Sequence, residues 1–339
     1  MSKSLILTAA RAAGGFALAR RLTTGKLRIL CYHGLWTLDG VAPFGNRLFM
    51  PHRQFAERMA WLASSPYPVL PLGEAVDMLA DDRLPRGATV ITIDDGWAST
   101  YSHMLPALEA AGLPATVYVS TYYVENDGPV ANVVANYLAE RAPAGVYDLS
   151  GLLPGLEAPV VIADAASRDL AGDRLRTAVD EVGFAERMAA LAEVARRMNV
   201  GTEPWWGGRQ FHLMRPEELR DAERRGLDIQ LHTHRHKGLH RYVDHLPQEL
   251  ADNRAALARI LGGERPRDHF CYPSGGFDER GEAMLAAAGI RSATLVTEGL
   301  NAPTANRYRL RRFLDGRTVK PTSIDAYLSG ALDIAERLR

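Results

Sequence analysis

Cysteine is nearly absent from this 339-residue chain: only Cys31 and Cys271 occur, each inside an apolar run. Two thiols cannot build a disulfide framework or a cysteine-rich zinc site. Both read as buried free thiols, and any metal must be held by histidine and carboxylate. Net charge is absent too, with 40 Lys and Arg balancing 40 Asp and Glu. That balance excludes the basic footprint of a nucleic-acid binder and points to no polyanionic partner. Long apolar runs are also missing. Residues 4–22 are interrupted by Arg11, Arg20 and Arg21. Their apolar part, residues 5–10, is too short to span a bilayer and short for the core of a secretion signal, with only Lys3 ahead of it. Residues 1–26 are therefore expected to form a basic, apolar helix that packs on the domain or lies on a membrane surface. A cytoplasmic or peripheral membrane location is expected ahead of a periplasmic or secreted one.

What the sequence does contain is a repeated alternation of buried strands and amphipathic helices. Strands are predicted at 27–33, 88–93, 115–120, 227–232, 269–272 and 290–296, with a short extended piece at 307–314. Helices are predicted at 51–63, 72–79, 98–111, 216–225, 247–261, 278–288 and 323–338, and residues 36–50 read as a loop rich in Gly, Pro and Asn. Such alternation in one domain, here 27–339, implies a parallel sheet or barrel. Between about 124 and 210 it breaks down. That stretch, with helical pieces at 131–141 and 184–198, is expected to be an insertion that caps or flanks a site. It ends in Trp205-Trp206-Gly207-Gly208, whose tryptophans are candidates for stacking on sugar rings as well as for the core.

The chemistry concentrates where strands end. Asp94 and Asp95 close the strand at 88–93, and two adjacent carboxylates repel each other unless a partner divides their roles. A metal ion would do so, with one Asp as ligand and the other free to act as a base. His232-Thr233-His234-Arg235-His236 follows a second strand, and His232 and His236 are spaced to meet one ion. One Asp with two His is a three-ligand set that leaves room for water, typical of catalytic zinc. His33 and Pro273-Ser274-Gly275 also follow strands. In a parallel barrel those ends share one face, and that face carries the active site.

Three segments resemble a known family. Thr92-Ile93-Asp94-Asp95-Gly96, His232-Thr233-x-x-His236 and Phe270-Cys271-Tyr272-Pro273-Ser274-Gly275 are similar, in order, to the signatures of polysaccharide deacetylases of the NodB-homology type, carbohydrate esterase family 4. The resemblance runs from about residue 27 to 314, apart from the insertion. It implies a distorted (β/α) barrel of about seven parallel strands and removal of acetyl groups from amino sugars. It also implies Asp94 as general base, with Asp95, His232 and His236 around one divalent ion, zinc ahead of cobalt or nickel. The Ser274 backbone N–H is expected to contact the oxyanion, with Pro273, Trp205 and Trp206 near the substrate.

Two positions depart from the family pattern. No histidine occurs on the late strand that usually carries the general acid. Leu30-Cys31-Tyr32-His33-Gly34 resembles a subgroup similar to poly-N-acetylglucosamine deacetylases, which place that histidine on the first strand, so His33 is the expected acid. Cys271 stands where most members have an arginine that orients the base, and Arg312, similar to an arginine of the same subgroup, is expected to substitute. The expected partner is an N-acetylated glycan, for instance an exopolysaccharide whose deacetylation would help a biofilm matrix adhere. An O-acetyl esterase or cyclic-amide hydrolase on the same fold, and a non-catalytic glycan-binding protein, are the alternatives.

Overall fold

Seven short strands whose side chains are almost all buried carry the fold. The computed structural model describes residues 3–41, 48–263 and 265–337. In chain order the strands are β1 (Arg28–Tyr32), β2 (Thr89–Ile93), β3 (Thr116–Val119), β4 (Asp228–Leu231), β5 (His269–Cys271), β6 (Ser292–Thr294) and β7 (Phe313–Leu314). They form one sheet in the order β6-β5-β4-β3-β2-β1-β7, with every pair parallel. Before becoming β7, the chain at 307–312 bonds along β6, with Leu310 N donating to Ala293 O at 2.9 Å and Ala293 N to Arg307 O at 2.8 Å. The two edges of the sheet are thereby drawn together into a distorted, incomplete barrel of the NodB type, as the family resemblance implies.

Alternate residues of these strands serve two cores, because side chains along a strand point to opposite faces. Leu30, Tyr32, Ile91, Ile93, Val117 and Val119 pack under the surrounding helices. Leu27, Ile29, Val90, Tyr118 and Cys271 form a second cluster with Leu72, Ala75 and Leu79 of the helix Leu72–Ala80.

Several elements differ from expectation for identifiable reasons. The helix expected over 98–111 begins as a π-helical turn, Thr100–Met104, and becomes α-helical only at Leu105–Ala111. Pro106 lacks the N–H a continuous α-helix would need there. The single N-terminal helix is a hairpin of α1 (Lys3–Ala12) and α2 (Gly15–Leu22), broken at Gly14 with φ 77°. The final helix is likewise two, Pro321–Ser329 and Ala331–Arg337, separated by Gly330 at φ 84°. Residue 338 of that expected helix, residues 42–47 of the expected loop and residues 1–2 of the N-terminal segment lie outside the described residues. A parallel pair of short strands, Gly34–Trp36 and Phe49–Pro51, brackets that loop and takes in its first and last residues. The 124–210 stretch holds, besides Ala131–Arg141 and Phe184–Arg197, an unforeseen 16-residue helix, Ala165–Asp180, and an antiparallel hairpin, Gly145–Tyr147 with Val160–Ile162. Its apolar residues join the barrel's outer core in one continuous cluster.

Candidate active site and metal centre

The parallel sheet delivers its polar residues to one rim. His33 follows β1, Asp94 and Asp95 follow β2, His232 follows β4, and Pro273 and Ser274 lie just beyond β5. The backbone is bent sharply at two of these positions and at two beside His232. Asp95, Thr233, His236 and Ser274 have φ between 54° and 71°, half of the eight non-glycine residues with positive φ among the described residues. A β-branched threonine in that region is costly, and such strain clusters where surrounding contacts fix a functional geometry.

Asp95, His232 and His236 converge. Asp95 Oδ1 lies 3.3 Å from His232 Nε2 and 3.2 Å from His236 Nε2. Ligands about 2.0–2.1 Å from a tetrahedral ion stand about 3.3 Å apart, so the spacing fits a divalent metal. The supporting contacts point the same way. His232 Nδ1 donates to Cys271 O at 2.8 Å, which directs its Nε2 at Asp95. Trp97 Nε1 donates to Asp95 Oδ2 at 2.8 Å, leaving Oδ1 for the ion. Asn253 Oδ1 accepts from His232 N at 3.1 Å, while its amide donates to Val119 O and Thr121 Oγ1, both at 3.0 Å. Burial opposes the Asp95 charge, but the facing imidazoles of His232 and His236 more than offset it and hold the carboxyl well below the usual range. Among the described residues two further groupings of ligand-type side chains, Cys31-His33-Asp94 and Asp94-His232-Cys271, both need Asp94. Its charge is already taken by an arginine, which would repel a cation there, so the Asp95 group is the candidate metal centre.

That arginine is Arg312, expected from the sequence as a substitute orienting group. Its NH1 and NH2 donate to Asp94 Oδ1 and Oδ2, each at 2.7 Å, and both residues are buried. The guanidinium is itself fixed by Leu295 O at 2.8 Å and Thr92 Oγ1 at 3.0 Å. Burial would raise the Asp94 pKa, but the charge and paired hydrogen bonds of Arg312 more than reverse this and keep the carboxylate ionised. The two cysteines, read from sequence only as buried thiols, also line this carboxylate. Cys271 Sγ and Cys31 Sγ lie 3.4 and 3.6 Å from Oδ2. Burial pushes both thiols' pKa well up, so they stay protonated and act as weak donors. The available signal was position: Cys31 lies two residues before His33 on one strand, and Cys271 occupies the family's arginine site.

His33 Nε2 is 3.7 Å from Asp94 Oδ2, and its Nδ1 is buried without a hydrogen-bond partner among the described residues. Burial lowers its pKa and the Asp94 charge only partly offsets this, so the imidazole is neutral at rest. Ser274 is exposed on the turn after β5, with Pro273 buried beneath it. Of the paired tryptophans only Trp206, 50% exposed, presents a face to solvent. The expectation that Trp205 stacks on a sugar is corrected: its ring is fully buried and belongs to the core cluster.

These motifs are matched by known proteins. The family model for polysaccharide deacetylase matches residues 81–149 and 185–293, just over half of the chain. YxkH of Bacillus subtilis (strain 168), named as a polysaccharide deacetylase, is 36% identical over 195 residues, covering 53% of this chain and 65% of that protein. The chain thus aligns with slightly under two thirds of this relative's length. Among solved structures, Streptococcus pyogenes deacetylase PplD in complex with acetate superposes with a TM-score of 0.59 at 15% identity, over 89% of this chain and 98% of that one. A de-N-acetylase from Aggregatibacter actinomycetemcomitans gives 0.56 at 13% identity, over 89% and 99%. Identities this low speak for the fold alone. The family-model match falls on all the strand-end motifs from Asp94 to Ser274, and on that ground the chain belongs to the polysaccharide deacetylase family.

Proposed function

We propose that this chain is a metal-dependent hydrolase that removes N-acetyl groups from the amino sugars of a polysaccharide, an exopolysaccharide or related glycan, and releases acetate. The observation that carries this reading is one rim with two differently equipped carboxylates. Asp95 faces two imidazoles at 3.2 and 3.3 Å, while Asp94 faces a forked guanidinium with a third imidazole at 3.7 Å. An amide is a poor electrophile and water a poor nucleophile at neutral pH. A divalent ion held by Asp95, His232 and His236, zinc ahead of cobalt or nickel, would polarise the acetyl carbonyl and acidify the water.

The remaining chemistry belongs to the chain's own groups. Asp94 takes the proton of the attacking water, and Arg312 holds it in one orientation for that task. Because Arg312 favours the ionised form so strongly, Asp94 binds the abstracted proton weakly. His33 Nε2, neutral at rest and 3.7 Å away, is the neighbouring acceptor. The imidazolium then supplies the proton that the departing amine requires. The Ser274 N–H is assigned to the developing oxyanion and the Trp206 face to a sugar ring.

The test is acetate release from N-acetylglucosamine oligomers alongside simple O-acetyl esters, with metal content measured on the same preparations. Asp94→Asn should keep the ion and lose the activity. Unchanged turnover in that variant would remove Asp94 from the mechanism, and acetate released from esters alone would make the protein an O-acetyl esterase.

A further inference from the structure

The end of the barrel opposite the rim carries a feature that catalysis does not use. Ahead of Asp39 the sequence has six cations, Lys3, Arg11, Arg20, Arg21, Lys26 and Arg28, and no acid, so the rest of this neutral chain carries a net charge of minus six. Three of the six are spent inside the fold. Arg28 is buried against the carbonyls of Thr23 and Leu328, Lys26 pairs with Asp333 at 2.7 Å, and Arg11 pairs with Asp325 at 3.0 Å. Arg20 lies over the Tyr67 ring, Arg21 is exposed, and neither forms an ion pair with any described residue.

The hairpin of α1 and α2 rests on the helix Pro321–Ser329, with Phe16 and Ala19 turned inward. Its other side is apolar and open. Leu5, Ile6, Leu18 and Leu22 are 61, 50, 57 and 66% exposed, four of the ten large apolar side chains exposed among the described residues. Leu18 and Leu22 are one turn apart on α2. On α1, Leu5 and Ile6 align with exposed Ala9 and Ala12, so each helix presents an apolar stripe. Four such residues within 5–22 form a concentration that scattered surface leucines do not.

We propose that this hairpin docks on an anionic phospholipid surface, with the leucines entering the headgroup boundary and Arg20 and Arg21 meeting lipid phosphates. Among the described residues no helix is long and apolar enough to cross a membrane, so the contact is peripheral. Charge favours lipid over a second copy of the chain, because a two-fold pairing of hairpins would set like charge against like. The geometry also fixes an orientation. α2 leads through Thr23 into the first residue of β1, and Arg20 packs on Gly87, just ahead of β2. The bilayer therefore lies beneath the strand beginnings, and the rim with Asp94 and His236 faces away from it.

Flotation of the full chain with vesicles of phosphatidylcholine, with and without about a quarter phosphatidylglycerol, tests this. Binding is expected to anionic vesicles, at least about tenfold tighter than to neutral ones, and to weaken in about 0.5 M salt. The double variant L18E/L22E should lose at least about tenfold in binding, and Arg21→Glu about tenfold, with melting temperature and acetate release from N-acetylglucosamine oligomers unchanged. These substitutions lie on exposed positions far from the rim, so a folded variant is expected. Wild type that does not float, or L18E/L22E that floats as well as wild type, overturns the proposal. So does a hairpin-dependent dimer in sedimentation without vesicle binding, which would give the face to a second copy.

Discussion

At the rim of the barrel side chains are held by charge and hydrogen bonds, whereas in the stretch 124–210 they are held mainly by apolar fit, with Arg168 capping the carbonyls at the end of the helix Ala131–Arg141. Asp94, Asp95, His232 and Arg312 are buried ionisable groups, each fixed by contacts of 2.7–3.3 Å. The helices Ala131–Arg141 and Ala165–Asp180 instead approach through small residues, and a Cβ on Gly172 would stand 2.8 Å from Asn136 Oδ1. The first arrangement sets directions and charge states to within a bond length. The second supplies bulk and stiffness and tolerates change in sequence. The family model reflects this, since it runs through the rim motifs but skips residues 150–184, where the helix Ala165–Asp180 lies. The contrast predicts that damage at the rim silences chemistry in a folded protein, while damage in the insertion loosens the fold and leaves chemistry per folded molecule intact.

The sharpest break should come from Asp95→Ala. Removing the one carboxylate shared by both imidazoles should abolish bound divalent metal, read by elemental analysis, and lower acetate release at least about a thousandfold, with melting little changed. Retained metal would relocate the centre. Arg312→Leu crosses the comparison, because it touches a rim residue that also supports the fold. It leaves Asp94 buried without its counter-charge, which costs about 3–5 kcal/mol in denaturant unfolding, and burial then drives the carboxyl to take up a proton, so base activity is lost as well. Arg312→Lys keeps the charge without the fork and should fall between. On the other side, Leu175→Ala in the helix Ala165–Asp180 removes a fully buried side chain and should cost about 2–5 kcal/mol. Metal content and turnover per folded molecule should match wild type. A fall in metal content would show that the insertion shapes the rim directly.

The same contrast governs what could be read in advance. The strands were legible because they are short buried runs between turn formers. The candidate metal ligands were legible because Asp95 and His232-x-x-x-His236 lie just past such runs, where a parallel sheet gathers them. Arg312 was reachable through the family pattern alone, since nothing in Arg311-Arg312-Phe313 indicates which arginine turns into the barrel. The helix Ala165–Asp180 escaped notice because its buried face is Ala171, Gly172, Leu175, Ala178 and Val179, mostly small residues around a mid-helix glycine that lowers helix propensity. The break at Gly330 likewise depends on a close approach: a Cβ there would lie 2.4 Å from Thr23 Oγ1. Sequence periodicity carries no information on such tertiary contacts.

The junction of the two regions offers the smallest and most discriminating effect. Where the insertion returns to the barrel, His212 O accepts from Ala98 N at 2.8 Å and Met214 N donates to Gly96 O at 2.8 Å, so this exit strand clasps the turn that follows Asp95. The His212 ring is buried with Nδ1 unpartnered among the described residues. Burial, helped by the nearby Arg209 and Arg215 charges, lowers its pKa to about 4. In the unfolded chain the same imidazole titrates near about 6.5. The unfolded state therefore binds the extra proton first, and stability should decline as pH falls from about 6.5 towards 4, then level off for this group. His212→Gln, which cannot be protonated, should flatten that part of the profile in thermal melts. If the variant also shifts metal affinity, the insertion and the rim are one mechanical unit; if only the pH slope of stability changes, the clasp supports the fold while the metal centre stands on the barrel alone.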